Sequence, residues 1–327
     1  MRIRTAIIAL TFVVLIAGIW TLSSCGSGER TQLVPAWQLL DSGRYRGMGL
    51  TDPFLSWAPD SRSVIFSVFG LQSQKDTIYK WNVGEKGITA ITDGASPVHI
   101  SESDFLYLRK PQNEKQPPKA VFTRSLVTGK ESEVMSAAKN ADFWEEVTAF
   151  SYDPAQKHVI VRLTEFSDFY TPGSQVFDMN GKHLGQAEDL GSEGVMDSSP
   201  NPAGSNTALL IQAEEGKAVA LQIAAKKATS GETVASGILT CVAWSPNGEI
   251  LAYGRMGEVV AMRPSDHRSV VIGRFAKPDD PKDKTYVHRL IWSPSGDYLS
   301  VLIYVPDAAG DYPLIYVLDM SKFDWDR

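Results

Sequence analysis

Apolar and polar residues alternate along most of this chain in short runs, and the runs come in pairs. "LSWAPDSRSVIFSV" from Leu55, "VAWSPNGEILAYGR" from Val242 and "LIWSPSGDYLSVLI" from Leu290 each read as a short apolar strand ending in Trp, a Pro-containing tight turn and a second strand. "FSYDPAQKHVIVRL" from Phe150 follows the same pattern with Tyr152 in the Trp place. "SSPNPAGSNTALLIQ" from Ser198 and "VHISESDFLYLRK" from Val98 are weaker copies. With Trp57, His99, Tyr152, Pro200, Trp244 and Trp292 as the recurring position, the mean step is about 47 residues. A third β-rich run follows each of these positions, as in "TIYKWNV", "EVVAMRP" and "PLIYVLD", and after most of them comes a fourth short strand such as "GITAITD" or "SVVIGRF". Four short strands per repeat predict a propeller blade, and six repeats predict an all-β, six-bladed β-propeller. Seven blades is the alternative count, and it needs strands that the sequence does not offer. Neither heptads nor long amphipathic helices compete with this pattern.

The ends of the pattern carry their own prediction. After "LIYVLDM" there is room only for "SKFDWDR", too little for a fourth strand in the last blade. An open blade leaves an unpaired strand edge. The segment "WQLLDSGRYRGMGL", ahead of the first repeat, is the expected donor of the missing strand, so residues 33–327 read as one propeller domain. Trp57, Trp244 and Trp292 are expected in the core between blades, and Cys241, inside the apolar run "ILTCVAW", reads as a small core residue.

The N-terminus breaks the alternation. "MRIR" is a short positive stretch, "AIIALTFVVLIAGIW" is an apolar run interrupted only by Thr11, and Ser23 and Ser24 stand before Cys25. A retained membrane helix is the simpler reading of such a run, which is near the lower length limit for spanning. "LSSC" resembles the lipobox of bacterial lipoproteins, with Leu22 at −3, small residues at −2 and −1 and Cys25 at +1. That resemblance implies that residues 1–24 are a signal peptide, that cleavage falls before Cys25, and that Cys25 carries lipid. Several acyl chains anchor firmly where one binds only marginally. Residues 25–32 are then the lipidated Cys and its small, polar tether, "GSGERTQ". The expected address is the extracytoplasmic side of the cell envelope, either the periplasmic face of an outer membrane or the outer leaflet of a cytoplasmic membrane. Gly26 stands where an aspartate would resemble a retention signal, which favours the outer membrane in a two-membrane cell.

The W-S-P-D-G turn followed by a strand and then I-Y-x-x-D resembles the TolB-type β-propeller repeat, which also occurs in prolyl-oligopeptidase-like enzymes. The resemblance covers nearly all of the chain after the tether, in three clear copies, one fair one and two degenerate ones. It is distinct from WD repeats, because no Gly-His…Trp-Asp pair recurs, and it does not make the chain TolB itself. The hydrolase domain of the related peptidases finds no room here, and no G-x-S-x-G elbow occurs.

Composition narrows the function classes. The net charge is −6 over 327 residues, and a chain starting at Cys25 loses the charges of Arg2 and Arg4 as well. There is no basic excess to neutralise phosphates, so nucleic acid is not the expected partner. No Walker A, G-x-G-x-x-G or H-E-x-x-H motif is present, and the five histidines are scattered, so no cofactor and no metal site are expected. "KPDDPKDK" reads as a solvated loop rather than a cation site.

Loop lengths say where binding belongs. Turns between strands one and two and between strands three and four are tight, and both sets fall on one rim. The other rim collects longer connections, such as "RKPQNEKQPPKA", "TEFSDFYTPGSQ", "SAAKNADFWEEV" and "FAKPDDPKDKTYVH". Those connections carry Phe143, Trp144, Phe166, Phe169, Tyr170, Tyr286, Tyr304 and Tyr312; Trp144, Phe166, Phe169, Tyr170 and Tyr312 are the candidate rim contacts. The innermost strand of each blade starts on this rim, so Asp52, Glu146, Asp197, Thr240, His288 and Arg289 are the candidates for the channel mouth. An acid pair with His and Arg suits either acid/base work or the binding of a polar ligand, and plain polar channel wall is the blander alternative. The expected function is a membrane-anchored, non-catalytic binding or scaffolding module for an envelope protein, peptide or glycan. The alternatives are a polysaccharide lyase or hydrolase at the channel mouth, and a small-ligand sensor.

Overall fold

The computed structural model describes residues 30–39, 55–70, 75–109, 120–136, 145–165, 175–186, 195–212, 219–225, 228, 230–276, 284–306 and 312–326. Two short strands come first, β1 (Arg30–Thr31) and β2 (Ala36–Gln38). Blade 1 is β3 (Leu55–Trp57), β4 (Ser63–Gly70), β5 (Lys75–Asn82) and β6 (Thr89–Asp93). Blade 2 is β7 (Ala95–His99), β8 (Asp104–Arg109), β9 (Ala120–Ser125) and β10 (Glu131–Ser136). Blade 3 is β11 (Glu145–Asp153), β12 (His158–Glu165), β13 (Gln175–Asp178) and β14 (His183–Gln186). Blade 4 is β15 (Val195–Pro200), β16 (Asn206–Gln212), β17 (Val219–Ala225) and β18 (Glu232–Gly237). Blade 5 is β19 (Leu239–Trp244), β20 (Leu251–Arg255), β21 (Glu258–Arg263) and β22 (Arg268–Arg274). Blade 6 is β23 (Tyr286–Trp292), β24 (Tyr298–Val305) and β25 (Tyr312–Asp319), followed by one 3-10 turn at Met320–Lys322.

Within every blade the strands lie in sequence order and pair antiparallel, so the molecule is a six-bladed propeller. The fourth strand of blade 6 is β2, which pairs antiparallel with β25 through Ala36↔Leu318, Trp37↔Val317 and Gln38↔Tyr316. Trp37 and Gln38 belong to the segment expected to donate a strand, and Ala36 precedes it. Strand β1 adds a feature that the repeat pattern does not contain. It lies parallel to β22 as a fifth strand on blade 5, with Arg30 opposite Val270. Between the two, Gln32 N–H donates to the Val271 carbonyl and Val34 N–H to the Ile272 carbonyl.

The core lies between blades. One apolar cluster joins blade 5 to blade 6, with Ala252, Ala261 and Ile272 against Val301, Ile303 and Leu318. A second joins blade 6 to blade 1, with Leu302, Ile315 and Val317 against Trp57, Phe66 and Trp81. Others join blades 2 and 3, blades 4 and 5, and blades 1 and 2. Both faces of a middle strand therefore meet a neighbouring sheet, which explains why "SVIFSVFG" and "YLSVLIYV" are nearly continuous apolar runs. Each fully buried Leu, Ile, Val or Phe adds roughly 1.5–3 kcal/mol. Trp57, Trp244 and Trp292 are buried in these seams, as the repeat predicts, and Trp292 Nε1–H donates to the Ala243 carbonyl of the next blade at 3.1 Å.

The W-S-P turn explains its own sequence. Ser245 Oγ accepts from Ile250 N–H at 2.9 Å, and Ser293 Oγ accepts from Tyr298 N–H at 3.1 Å, so the buried serine closes each turn. Ser61, Lys157, Gly248 and Gly296 take the left-handed conformation in equivalent turns, which is easiest for glycine. Adjacent turns also touch. Ser295 N–H donates to Ser61 Oγ between blades 6 and 1 at 2.8 Å, and Asn201 Nδ2–H reaches the Gly248 carbonyl between blades 4 and 5 at 3.5 Å.

Connections on the short-turn rim run from four to six residues in every blade where the sequence returns there. The opposite rim is less uniform than expected. Gly94 alone links β6 to β7, Ile238 alone links β18 to β19, and Met256 and Gly257 link β20 to β21. Gly94 has φ +152, and an added Cβ would lie 2.4 Å from the buried Tyr107 ring, so the one-residue crossing depends on glycine there. The collar of long connections is therefore interrupted at blades 1–2 and around blade 5.

Candidate functional site at the channel mouth

Five of the six inner strands slip register near their start, on the long-connection rim. The slips fall between Ala95 and Val98, Val147 and Ala149, Val195 and Asp197, Leu239 and Val242, and Val287 and Arg289. A β-bulge releases backbone groups from the ladder and turns a side chain to a new direction, and bulges cluster where strands present functional groups. Glu146, Asp197, Thr240, His288 and Arg289 all lie in or next to these slips.

Neighbouring inner strands are then stitched by side chains. Ser56 Oγ accepts from His99 N–H at 3.0 Å, and Ser199 Oγ accepts from Trp244 N–H at 3.1 Å. Asp197 does the same at the mouth, its Oδ2 accepting from Val242 N–H at 3.0 Å. Its Oδ1 lies 3.2 Å from Arg289 Nη1. This ion pair bridges blades 4 and 6 beside the inner strand of blade 5. The Asp197 side chain is 15% exposed and that of Arg289 35%, so solvent screens the pair on the arginine side.

Thr240 and Cys241 sit next to this bridge. The Thr240 hydroxyl donates to Cys241 Sγ at 3.8 Å, and an added Cβ on Gly254 behind them would lie 2.6 Å from Thr240 Oγ1. Burial pushes the Cys241 thiol up to about 12, the Asp197 carboxylate adding to the rise against the pull of Thr240 and Arg289. It is a protonated core thiol at neutral pH and not a nucleophile.

His288 and Arg289 are consecutive but diverge. His288 is exposed, and its ring stands edge-on to Tyr304 with centroids 5.0 Å apart and 6.3 Å from Tyr286. Tyr286 and Tyr304 stack on each other at 5.6 Å. The mouth thus presents a histidine in an aromatic frame and, at the next residue of β23, an Arg–Asp bridge. Met196, the extra residue of the β15 slip, and Ile238, ahead of β19, are exposed apolar side chains on this rim, at 55% and 57%.

Of the six mouth candidates, the structure brings Asp197 and Arg289 into contact and sets Thr240 beside them. Glu146 lies in β11 opposite Thr164, its side chain outside the described residues, and Asp52 lies outside them altogether. Among the rim aromatics, Tyr312 is half-buried against the core of blades 5 and 6, while Trp144, Phe166, Phe169 and Tyr170 lie outside the described residues. Cys25 does too. Among the described residues, no group of three His, Cys, Asp or Glu side chains could hold a metal ion, and no helix is long and apolar enough to cross a membrane.

Comparisons with known proteins add the following. No family model and no curated protein match the chain. Among solved structures it is similar to TolB from Acinetobacter baumannii, at 12% identity and a TM-score of 0.43, over 80% of this chain and 64% of that one. It is also similar to an oligogalacturonate lyase from Vibrio parahaemolyticus, at 11% identity and a TM-score of 0.43, over 89% of this chain and 98% of that one. The chain thus spans a little under two thirds of the TolB structure.

Reading the sequence alone misses the bulges. The buried positions of "YVHRLIW" are Val287, Leu290 and Trp292, a step of three and then of two, but Tyr286 and Ile291 are apolar as well and hide the break. Met196 and Ile238 had no signal either. Their exposure follows from which connections are tight.

Proposed function

We propose that the chain is a bacterial lipoprotein carrying a propeller of the TolB-type repeat, and that the propeller is a non-catalytic binding module for an envelope protein, peptide or glycan at its bulged rim. The observation that carries this reading is the state of the mouth carboxylate. Asp197 is tied to a backbone N–H and to Arg289 from two other blades, which makes it a fixed element of a recognition surface. Exposed His288 in its tyrosine frame, with Met196 and Ile238 nearby, adds the mixture of aromatic, cationic and apolar contacts that protein and glycan partners use. The lipid-anchor part of the reading is supported by the sequence around Cys25. An enzyme at this mouth would need a free carboxylate, and Asp197 is already engaged by Val242 N–H and Arg289.

In-cell photo-crosslinking tests the reading. A photoreactive residue at His288 is expected to give a discrete adduct that is lost on Arg289→Ala. The same probe at Val127, 80% exposed on the short-turn rim, is expected to give none. Equal adducts from both positions, or none from either, would sink the binding-rim proposal.

A further inference from the structure

We infer that the membrane faces the short-turn rim beneath blade 5, so that the channel mouth opens away from the bilayer. This rests on the lipid-anchor reading of Cys25 and goes beyond it, because a lipidated cysteine alone says nothing about which face of a propeller it holds down.

The direction comes from β1. It is parallel to β22, the last strand of blade 5, which runs from the short-turn rim at Arg268 towards the long-connection rim at Arg274. The N-terminal end of β1 therefore points at the short-turn rim, towards the turn around Ser265 and His267. The strap is fixed there by the β1–β22 pairing, by the Gln32 and Val34 hydrogen bonds and by Val34, which is buried in the cluster joining blades 5 and 6. The last residues of the chain mark the same corner. Arg263 lies over the Trp325 ring at 5.2 Å, and Arg268 pairs with Asp326 at 3.4 Å.

Reach decides between the two faces. Five residue steps separate Cys25 from Arg30, at most about 18 Å of fully extended chain. Arg30 sits opposite Val270, two residues from the Arg268 end of β22. Continuing downwards, the tether spends about 7 Å reaching that end and has about 11 Å left to place the lipid below the rim. To put the opposite rim on the membrane, the chain would have to reverse at Arg30 and climb four residues to Arg274, about 13 Å, leaving about 5 Å. That remainder would still have to pass Phe275 and Ala276, which continue the chain beyond Arg274. The downward path leaves the anchor the longer free reach. The propeller is accordingly held close to the bilayer, with Asp197, His288 and Arg289 on the far side.

The test uses the full-length lipidated protein in vesicles of phosphatidylethanolamine and phosphatidylglycerol doped with a nitroxide-headgroup lipid. Fluorophores are placed singly at Ser265→Cys, in the exposed short turn of blade 5, and at Ile238→Cys, exposed on the long-connection rim. Cys241 is 1% exposed and does not compete for label. Quenching at position 265 is expected to be several-fold stronger than at 238. Equal quenching, or stronger quenching at 238, overturns the orientation while leaving the anchor intact. A Cys25→Ala protein that binds vesicles as well as the parent overturns the anchor reading, and the orientation with it. Inserting a long Gly/Ser spacer after Gly28 is expected to erase the difference between the two probes; a difference that survives would overturn the tether as its cause.

Discussion

His99 occupies in blade 2 the position that tryptophan holds in blades 1, 5 and 6, and it is buried there at 7% exposure. Its Nδ1 lies 3.2 Å from the Ser101 carbonyl, so that nitrogen carries the proton and donates, and Nε2 is buried with no hydrogen-bond partner among the described residues. Burial lowers its pKa from 6.5 to about 4, Lys80 adding to the fall, while the Ser101 carbonyl and Asp60 oppose it. The folded value lies below the unfolded one, so the unfolded chain binds more protons between these limits. Stability is therefore complete above about pH 6.5 and falls as the pH drops towards 4, by up to about 3 kcal/mol. His99→Phe, an aromatic residue without the titrating group, is expected to flatten this acid limb. Urea unfolding at pH 7 and pH 4.5 reads the effect: the parent loses stability between the two and the variant loses markedly less. The sequence pattern places His99 at the recurring position of its repeat, but nothing local says that an imidazole at an aromatic position is buried neutral. That follows from the blade 1 residues packed over it.

Among the elements, the N-terminal strap has the most visible cause in sequence and the least visible form. That a segment ahead of the first repeat would add a strand to the sheets could be expected from sequence, and β2 pairs with β25 of blade 6. Trp37 of that strand sits against Trp81 and Tyr298, with ring centroids 5.8 and 6.1 Å away, so β2 also locks blade 6 against blade 1. The parallel β1 could not be read. Two residues carry no periodicity, and their pairing is chosen by where the strap has to cross. Removing residues 30–38 would bare the edge of β25, whose backbone groups then await another strand. The shortened protein is expected to form higher oligomers on size exclusion. A clean monomer of unchanged thermal stability would count against the role given to the strap. The inner-strand bulges could not be read either, because apolar Tyr286 and Ile291 mask the break in the buried period of β23.

For the whole molecule, the blade count and the strand order were legible because each repeat is one supersecondary unit with its own turn chemistry. The mouth was legible only in part. Strand starts can be counted, which put Asp197 and Arg289 on the rim, but a contact between blades 4 and 6 arises from ring geometry that no single repeat encodes. Because apolar clusters are shared between neighbouring blades, no blade has a core to itself. Unfolding is therefore expected to be concerted. Tryptophan fluorescence, reporting seams at Trp57, Trp81, Trp244 and Trp292, and far-UV circular dichroism, reporting all sheets, should give one coincident denaturant transition. Separate midpoints would mean that blades melt independently.

The pairing of Ala36 with Leu318 joins residues roughly 280 positions apart in the chain. Synthesis delivers the second of them long after the first. Until then β2 has no partner, and blades 1 to 5 must persist as an open arc with two unsealed ends. The strap that fixes the finished ring is thus also its last seam, and the interval before it forms is when this protein is most exposed to chaperones, proteases and other copies of itself.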